Sequence, residues 1–243
     1  YGHGTGGSRV SGLGGAALSL AADGIVRKGR ELAAAHLESA VDDIMFESGE
    51  FRIVGTDRTM TLPEVARVAN SPIERPAGFE AGLRAFASFA PSGPTFPNGC
   101  HVSEVEIEVD TGVCRLIRYV VCTDVGTVLN PLLLRGQIHG GVVQGAGQIL
   151  MEAIGFDPAS GQLLTGSFMD YVLPRAEDLP MFTVGHNEVP TPTNRMGAKG
   201  GGEGGTTPAP AAIVNAICDA LRGYDVEHIQ MPVTSEKIWR AIR

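Results

Sequence analysis

The sequence has little of what marks a nucleic-acid-binding, membrane-spanning or disulfide-rich protein. Its 19 Lys and Arg are outnumbered by 27 Asp and Glu, so the net charge of -8 leaves no basic surface for a phosphate backbone. Every apolar stretch is broken by Gly, Asp or Arg well before the ~20 residues that a membrane span requires. The four cysteines show no C-x-x-C spacing and are too few for a disulfide scaffold in 243 residues. We therefore expect a cytoplasmic protein with free thiols, no membrane span and no nucleic-acid partner.

The sequence also lacks an initial methionine and has few aromatic residues. It begins at Tyr1, and no charged segment followed by an apolar one comes next, so we expect the natural protein to continue upstream. Glycine, in contrast, is abundant, with 33 residues that gather in clusters. With 43% hydrophobic residues, the chain has enough apolar material for one large or two small globular units.

The first half of the chain alternates between helical and strand-like patterns. Apolar residues at helical spacing predict one long helix, or two joined helices, over residues 8–44. Residues 45–60 are typical of short strands with turns, and Thr61 is expected to precede a brief helix through Val68. Strict alternation then predicts a hairpin of residues 102–110 and 113–122, with one acidic side facing solvent.

The second half is dominated by glycine and proline. Asn130 and Pro131 form a good N-cap and first-turn pair, which predicts a helix to about residue 154. Residues 170–192 are expected to be irregular. A helix is predicted from Pro208 to Gly223, and a last short helix is expected to bury Ile238 and Trp239.

These patterns favour an α+β fold in two parts. Strand-rich and helix-rich stretches alternate without the repeat of a doubly wound sheet. Residues 70–98 are rich in Pro, Gly and Ser and show no period, which indicates a long connection between two lobes. We expect one lobe over residues 1–95 and a second over residues 96–243.

A first candidate site precedes the long helix, in the segment Gly4-Thr5-Gly6-Gly7-Ser8-Arg9. Free N–H groups at a helix start, a hydroxyl and an Arg are suited to a phosphate or pyrophosphate. The segment is not a Walker A loop, because no G-K-[ST] follows. The alternative is an ordinary glycine-rich helix entry with Ser8 as its N-cap.

A second candidate lies inside the helix that starts at Pro131. Five interior glycines each cost about 0.5–1 kcal/mol relative to Ala, so they indicate close approach of another element or a ligand. Gln137 offers amide donors and acceptors that suit a heterocycle or an oxo group. Tight helix packing, with Gln137 and His139 in structural hydrogen bonds, is the alternative. No second His or Cys stands at ligand spacing from His139, so no metal ligand is predicted.

The third candidate is the glycine-rich stretch at residues 199–206, which surrounds Lys199 and Glu203. Flanking glycines let the backbone approach a bound molecule closely, and they leave the Glu203 carboxylate accessible. This placement indicates a general base. A surface loop with a solvated Glu is the alternative.

Six segments in a fixed order extend these observations over essentially the whole chain. They are G-T-G-G-S-R at 4–9, D-V-G-T-V-L-N-P at 124–131, G-Q-I-H-G-G-V-V-Q-G at 136–145, M-D-Y-V-L-P-R-A-E-D-L-P at 169–180, P-T-P-T-N at 190–194 and G-A-K-G-G-G-E-G-G at 197–205. Their order and spacing resemble the molybdenum hydroxylases of the xanthine dehydrogenase and aldehyde oxidase family, and most closely the large subunit of carbon monoxide dehydrogenase-type enzymes. Two positions depart from that pattern: Arg195 stands where the family usually has Pro, and Val10 where it often has Ser.

The resemblance implies a fold and a cofactor site. The fold would be the family's molybdenum-cofactor-binding domain, with two lobes of mixed sheet packed with helices. Gly6, Gly7, Ser8 and Ser11 would contact a molybdopterin cytosine dinucleotide, with Arg9 as a neighbour.

The resemblance also implies roles for residues of the later motifs. Gln137 would face the pterin and an oxo group of the metal and so take part in catalysis. Lys199 and Gly200 would line the cofactor pocket. Glu203 would act as the general base toward a hydroxyl group on molybdenum.

The implied activity is oxidative hydroxylation of an aldehyde, an N-heterocycle or a similar small substrate, with water as the oxygen source. The chain would be the C-terminal part of a large subunit, and the remainder of that subunit would complete the active site. [2Fe–2S] clusters and FAD would lie on partner domains or subunits. The residues alone leave two alternatives open: a stand-alone nucleotide- or phosphate-binding module, and a structural assembly lobe without redox activity of its own.

Overall fold

The computed structural model describes residues 4–243 and divides them into two compact units. The smaller unit is Leu13–Ala90, and the larger one joins the described residues up to Gly12 to Pro91–Arg243. Tyr1, on which the expected upstream continuation rests, lies outside the described residues. The division into family lobes at residue 95 stays a prediction. Across residues 4–243, no helix combines the length and the apolar character that crossing a membrane requires.

Helices and two separate sheets make up the described part of the chain. The helices are α1 (Ala16–Leu37), preceded by a π-helical turn (Val10–Gly15), α2 (Leu62–Asn70), α3 (Pro131–Leu150), α4 (Ala209–Ala220) and α5 (Ser235–Ala241). The strands are β1 (Ile44–Glu47), β2 (Glu50–Ile53), β3 (Thr59–Thr61), β4 (Asn98–Glu108), β5 (Val113–Asp124) and β6 (Thr183–His186). The α+β class predicted from the sequence is therefore confirmed.

The smaller unit is a three-stranded antiparallel sheet, ordered β1-β2-β3, with α1 and α2 packed on it. Ser48 and Gly49 both have positive φ angles (51° and 84°), the backbone that a two-residue hairpin turn requires. Thr61 begins α2 with a capping box: its hydroxyl accepts from the Glu64 N–H, and the Glu64 carboxylate accepts from the Thr61 N–H. The core residues are Leu32, Ala33, Ala34, Leu37, Ile44, Phe51, Met60, Val65, Val68 and Ala69.

The larger unit contains the predicted hairpin, to which a third strand is added. Strands β4 and β5 are antiparallel, and alternate residues of β4, among them Glu104, Glu106 and Glu108, are exposed, as predicted. Strand β6 pairs in parallel with β5 inside the stretch that was predicted to be irregular. That part of the prediction was wrong because four residues are too few for a periodic signal, and their pairing comes from the distant strand β5.

Helices α3 and α4 pack against each other over this sheet. The Asn130 side chain caps α3 by accepting from the Leu133 N–H at 3.1 Å, as expected. Helix α3 ends at Leu150, before the predicted residue 154, because Met151 leaves the helical backbone. The core residues of this unit include Leu116, Tyr119, Val121, Leu134, Ile138, Val142, Ile149, Phe182, Ile213, Ile217, Leu221 and Ile238.

The last helix, α5, buries only one of its two predicted core residues. Ile238 is fully buried, whereas Trp239 is 39% exposed, and the guanidinium of Arg243 lies 4.0 Å from the centre of its ring. Adjacent positions on an α-helix point about 100° apart, so burying Ile238 turns Trp239 toward the side of the helix. The prediction that both enter the core was therefore wrong for Trp239.

Candidate functional site

The glycine-rich loop around Glu203 begins by pairing, in antiparallel fashion, with the segment that follows strand β5. Lys199 N–H donates to the Val125 carbonyl at 2.7 Å, and Thr127 N–H donates to the Gly197 carbonyl at 2.9 Å. Gly126 has a positive φ of 66°, and a Cβ there would lie 3.1 Å from the Lys199 nitrogen. The two segments therefore approach backbone to backbone, which fixes the start of the loop to the sheet.

The side chain of Asn194 holds the backbone just before this loop. It is buried, its Nδ2 donates to the Ala198 carbonyl at 2.8 Å, and its Oδ1 accepts from the Ala198 N–H at 3.3 Å. A Cβ on Gly12 would lie 3.5 Å from the same Nδ2. The P-T-P-T-N motif thus contributes a side chain that holds the entry to the loop.

Ser8 brings the first candidate motif onto this loop. Gly202 N–H donates to the Ser8 hydroxyl at 3.2 Å, across 194 residues of sequence. A Cβ on Gly200 would lie 2.7 Å from the Ser8 Cβ, and one on Gly202 would lie 2.7 Å from its hydroxyl oxygen. Gly7 and Ser8 both have left-handed φ angles, 57° and 54°. Glycine at 200 and 202 is therefore required by the close approach of Ser8.

Two cavities lie on the two sides of the loop, and Ser8 lines both. We name the first, of about 370 Å³, cavity A, and the second, of about 340 Å³, cavity B. Some residues of the loop line cavity A and others line cavity B. Cavity A is lined by Thr5, Ser8, Ser11, Asn130, Gln137, Lys199, Gly201 and Gly202, among others. Cavity B is lined by Gly7, Ser8, Asn98, Gly99, Thr123, Gly200, Glu203 and Gly204, among others.

A nearly buried ion pair lies at the edge of cavity A. Lys199 Nζ lies 2.5 Å from Asp124 Oδ2, and the two side chains are only 10% and 11% exposed. The other oxygen of Asp124 accepts from the Gly126 N–H at 2.8 Å and the Val189 N–H at 3.2 Å. Burial acts to raise the pKa of Asp124, but the hydrogen bonds from Lys199, Gly126 and Val189 outweigh it and lower the pKa. Asp124 is therefore charged near pH 7 and balances the charge of Lys199.

Gln137 and Glu203 are close in the fold but face different cavities. A Cβ on Gly202, the residue before Glu203, would lie 3.7 Å from Gln137 Nε2. Both side chains are exposed. Among residues 4–243, no group donates a hydrogen bond to the Glu203 carboxylate, whereas its backbone carbonyl accepts from the Thr207 N–H at 3.1 Å. The carboxylate is thus available to a molecule that enters cavity B.

His101 on β4 supports the loop from the sheet side. Its Nδ1 lies 2.8 Å from the Tyr119 hydroxyl, and the Tyr119 ring is fully buried. Burial raises the pKa of Tyr119, so the phenol stays protonated and donates to the imidazole. Burial also lowers the pKa of His101, while the backbone of Gly204 acts in the opposite direction. Burial therefore favours the neutral form of His101, whose Nδ1 accepts the hydrogen bond from Tyr119.

Four of the five glycines of α3 divide into two groups, and the fifth, Gly147, lies against Glu152 and Pro174. A Cβ on Gly141 would lie 2.8 Å from the Thr206 nitrogen and 2.9 Å from the Gly205 Cα, and one on Gly145 would lie 2.7 Å from the Ala209 Cβ. Gly136 and Gly140 have no other described atom within 4 Å of such a Cβ. Close approach thus explains the first group, and the loop after Glu203 is the element that approaches.

Three residues of the first candidate motif, Gly4, Gly6 and Arg9, lie away from the cavities. Gly6 lines neither cavity, and Arg9 is exposed, with its guanidinium donating to the Gly4 carbonyl at 2.8 and 3.2 Å. The part of Gly6 and Arg9 in cofactor binding stays a prediction. Within the described chain, no three side chains of His, Cys, Asp or Glu are grouped so that they could hold a metal ion.

Sequence reasoning missed three residues that shape the site: Asp124, Asn194 and His101. Asp124 and Asn194 lie in two of the six family motifs, so the sequence marked their segments. It did not indicate which residues their side chains contact. His101 occupies a core-facing position of an alternating strand, which gives no sign of its contact with Gly204. Only the pairing of distant segments reveals these roles.

Comparisons with known proteins identify the family. Residues 1–180 match the family model described as the molybdopterin cofactor-binding domain. The nicotine 6-hydroxylase large subunit of Paenarthrobacter nicotinovorans is 38% identical, with 100% of this chain and 30% of that protein covered. The carbon monoxide dehydrogenase large chain of Hydrogenophaga pseudoflava is 36% identical, with the same coverage of both chains.

A solved structure shares the fold at similar identity. The quinoline 2-oxidoreductase from Pseudomonas putida 86 matches with a TM-score of 0.88 and 37% identity, over 100% of this chain and 31% of that one. The chain spans about 30% of the length of the curated relatives named above. The resemblance predicted from the six motifs is confirmed, and the chain belongs to the molybdopterin cofactor-binding domain family of the molybdenum hydroxylases.

Proposed function

We propose that this chain is part of the large subunit of a molybdenum hydroxylase that oxidatively hydroxylates an aldehyde, an N-heterocycle or a similar small substrate, with water as the oxygen source. One observation carries the proposal: Ser8, Gln137 and the Glu203 loop, far apart in sequence, meet at Gly202 between two adjacent cavities. A stand-alone phosphate module needs no carboxylate directed into a second cavity. The convergence therefore supports an enzyme over a binding module.

The groups around cavity A fit a molybdopterin dinucleotide. Serine hydroxyls, the Gln137 amide and the Lys199 ammonium are donors for phosphate oxygens and for the ring atoms of a pterin. Glycines at 200 and 202 let Ser8 lie directly against the loop, which places the Ser8 hydroxyl at the wall of cavity A. Asp124 neutralises Lys199, so the cavity offers hydrogen bonds rather than a strong positive charge. The cytosine form of the dinucleotide belongs to this proposal.

Glu203 supplies the acid–base group. Its carboxylate is exposed at cavity B, its neighbours are glycines, and its backbone is held by Thr207. A carboxylate placed in this way accepts a proton at an oxygen atom from a group bound beside it. The cofactor, when bound, supplies the two-electron oxidation. Electrons would leave through [2Fe–2S] clusters and FAD on partner domains or subunits in the cytoplasm, and the remainder of the large subunit would complete the site.

Cofactor content tests the binding half of the proposal. The holoenzyme that contains this chain is produced in a host that makes the dinucleotide cofactor, and molybdenum and the cytidine nucleotide released on denaturation are measured. We expect both in stoichiometric amounts, and their loss in Gly200→Val, whose side chain would strike Ser8. Gly140→Ala, with open space around its Cβ, is the matched control. A nucleotide without molybdenum would instead indicate a binding module that lacks redox chemistry.

Substitution of Glu203 tests the catalytic half. In the holoenzyme that contains this chain, Glu203→Gln is expected to lower turnover by about 100-fold or more while molybdenum content is retained. Glu106→Gln, on the exposed face of β4, is the control for the loss of one carboxylate. Turnover of Glu203→Gln within a factor of about two of the wild type would refute the assignment of the base.

A further inference from the structure

Two cysteines face each other across strands β4 and β5. Cys100 and Cys122 are direct Cα partners in the antiparallel register, and both are exposed free thiols. Residues directly opposite in an antiparallel pair have Cα atoms about 4.5 or 5.5 Å apart, depending on their hydrogen bonding. Both separations fall within the range of about 4.4–6.8 Å that a disulfide spans. The backbone therefore already places the two residues at bridging separation.

The same face of this ladder shows that opposite side chains do meet. Glu104, four residues after Cys100, and Arg118, four residues before Cys122, are also register partners. Arg118 Nε lies 3.2 Å from Glu104 Oε2. The register shift of this pair of strands comes only after Glu104, so no irregularity separates the charged pair from the cysteine pair. Side chains at 100 and 122 project from the same face as those at 104 and 118.

We propose that Cys100 and Cys122 form a dithiol site that small disulfide oxidants, such as oxidised glutathione, convert reversibly into an intrachain disulfide. One cysteine thiolate attacks the oxidant, whose S–S bond breaks and releases one thiol. The second cysteine then attacks the mixed disulfide, forms the Cys100–Cys122 bond and releases the second thiol. Two electrons pass from the pair to the oxidant, and the two cysteine protons end on the two released thiols.

The site borders cavity B, and it stands independently of the proposed function. Gly99 and Thr123, which line that cavity, are the immediate neighbours of the two cysteines, and they too are register partners. A Cβ on Gly99 would lie 2.9 Å from the Cys122 carbonyl oxygen. A bond between the two sulfurs would tie together the two strand ends that form one wall of cavity B.

The other two cysteines provide an internal comparison. Cys114 and Cys218 are only partly exposed, and the register partner of Cys114 is Ile107. Burial raises the pKa of Cys114 to about 11, so its thiolate is scarce near pH 7. A dithiol reaction at Cys100 and Cys122 is therefore expected to leave Cys114 and Cys218 reduced.

The test uses the full reduced chain and excess oxidised glutathione. We expect two of the four thiols to disappear, an intact mass lower by about 2 Da, and full recovery with dithiothreitol. Trypsin cleaves at Arg115 and Arg118, and a protease that cleaves after glutamate cuts between Cys100 and Cys114, so the two enzymes together place each of these cysteines and Cys122 on separate peptides and a linked pair identifies the bond. Four unreacted thiols, stable glutathione adducts without a bridge, a bridge to Cys114 or Cys218, or a covalent dimer would each overturn the proposal.

Matched variants locate the reaction. Cys122→Ser is expected to stop at a single glutathione adduct on Cys100, with no loss of mass. Cys114→Ser is expected to form the bridge at the wild-type rate. Bridge formation that persists in Cys122→Ser, or that is lost in Cys114→Ser, contradicts the assignment to the register pair.

Discussion

Two helical glycines, one in each unit of the chain, make different kinds of contact. In the smaller unit, Gly29 of α1 makes room for a side chain, the ring of Phe51. In the larger unit, Gly141 of α3 makes room for backbone, at Gly205 and Thr206. A side chain can shift by a few tenths of an ångström, whereas a loop fixed by its own hydrogen bonds cannot. Both units have a hydrophobic core, and Gly141 in the larger one also makes room for a loop that carries a functional group.

The units also differ in where their ion pairs lie. In the smaller unit, the Lys28–Glu80 and Arg67–Glu74 pairs are largely exposed. In the larger unit, Asp124 and Lys199 are nearly buried beside a cavity. Exposed pairs typically contribute about 0–1 kcal/mol, whereas breaking a buried pair leaves a charge without compensation. Of these pairs, the Asp124–Lys199 pair is therefore the one whose loss is expected to cost most.

The largest effect is expected from breaking the buried pair. Asp124→Asn keeps the shape of the side chain but leaves Lys199 without a counter-charge, and it should lower the free energy of unfolding of the larger unit by about 3 kcal/mol. Urea denaturation, monitored by the fluorescence of Trp239, the single tryptophan of the sequence, measures the free energy of unfolding of this unit. Glu104→Gln, which breaks an exposed pair in the same unit, should change it by less than about 1 kcal/mol. Equal effects of the two variants would remove the distinction between buried and exposed pairs.

The pH dependence sharpens the same comparison. The pKa of Asp124 is lowered in the folded state, so the stability that it contributes is present above its unfolded-state pKa and is lost as the pH falls through the folded-state pKa. The difference in unfolding free energy between the wild type and Asp124→Asn should stay constant from about pH 7 to 5 and shrink below about pH 4. Urea titrations at a series of pH values measure it. A difference that is constant down to about pH 2 would show that Asp124 does not act through its charge.

A smaller effect is expected where a glycine meets backbone. Gly141→Ala should destabilise the larger unit by about 2 kcal/mol, because overpacking against Gly205 and Thr206 exceeds the gain in helix propensity. Gly140→Ala, next to it on α3 with open space, should stabilise by about 0.5–1 kcal/mol. Trp239 fluorescence in urea again gives both values. Opposite signs are the expected result, and a stabilising Gly141→Ala would contradict the close approach.

The smallest effect is expected where a glycine meets a side chain. Gly29→Ala should destabilise the smaller unit by about 1 kcal/mol, because the Phe51 ring is buried but can shift. Amide hydrogen exchange in α1 reports this unit, which contains no tryptophan. A loss larger than that of Gly141→Ala would reverse the comparison between side-chain and backbone contacts. Replacing the ring with a smaller side chain, in the double variant Gly29→Ala with Phe51→Leu, should relieve part of the cost of the added Cβ.

The sequence predicted the elements that depend on neighbours in the chain. The cap at Asn130, the start of α2 after Thr61 and the alternation of β4 all follow from rules that act within four residues, and the structure has each of them. The parallel strand β6 and the exposure of Trp239 were not predicted, because both are decided by which distant element lies alongside. Local patterns therefore predicted many of the helices and strands, but they did not predict which of these elements pack or pair with each other.

The sequence by itself determined the family, because six ordered motifs are specific without any knowledge of their contacts, and it singled out Glu203 on its glycine loop. Only the tertiary structure decided that Ser8 lies against Gly202, that Asp124 pairs with Lys199, and that Cys100 faces Cys122. The physical reason is separation: the hydrogen bond from Gly202 to Ser8 spans 194 residues, and no propensity or period reaches across such a distance. Register and packing bring these residues together, and both are properties of the folded chain.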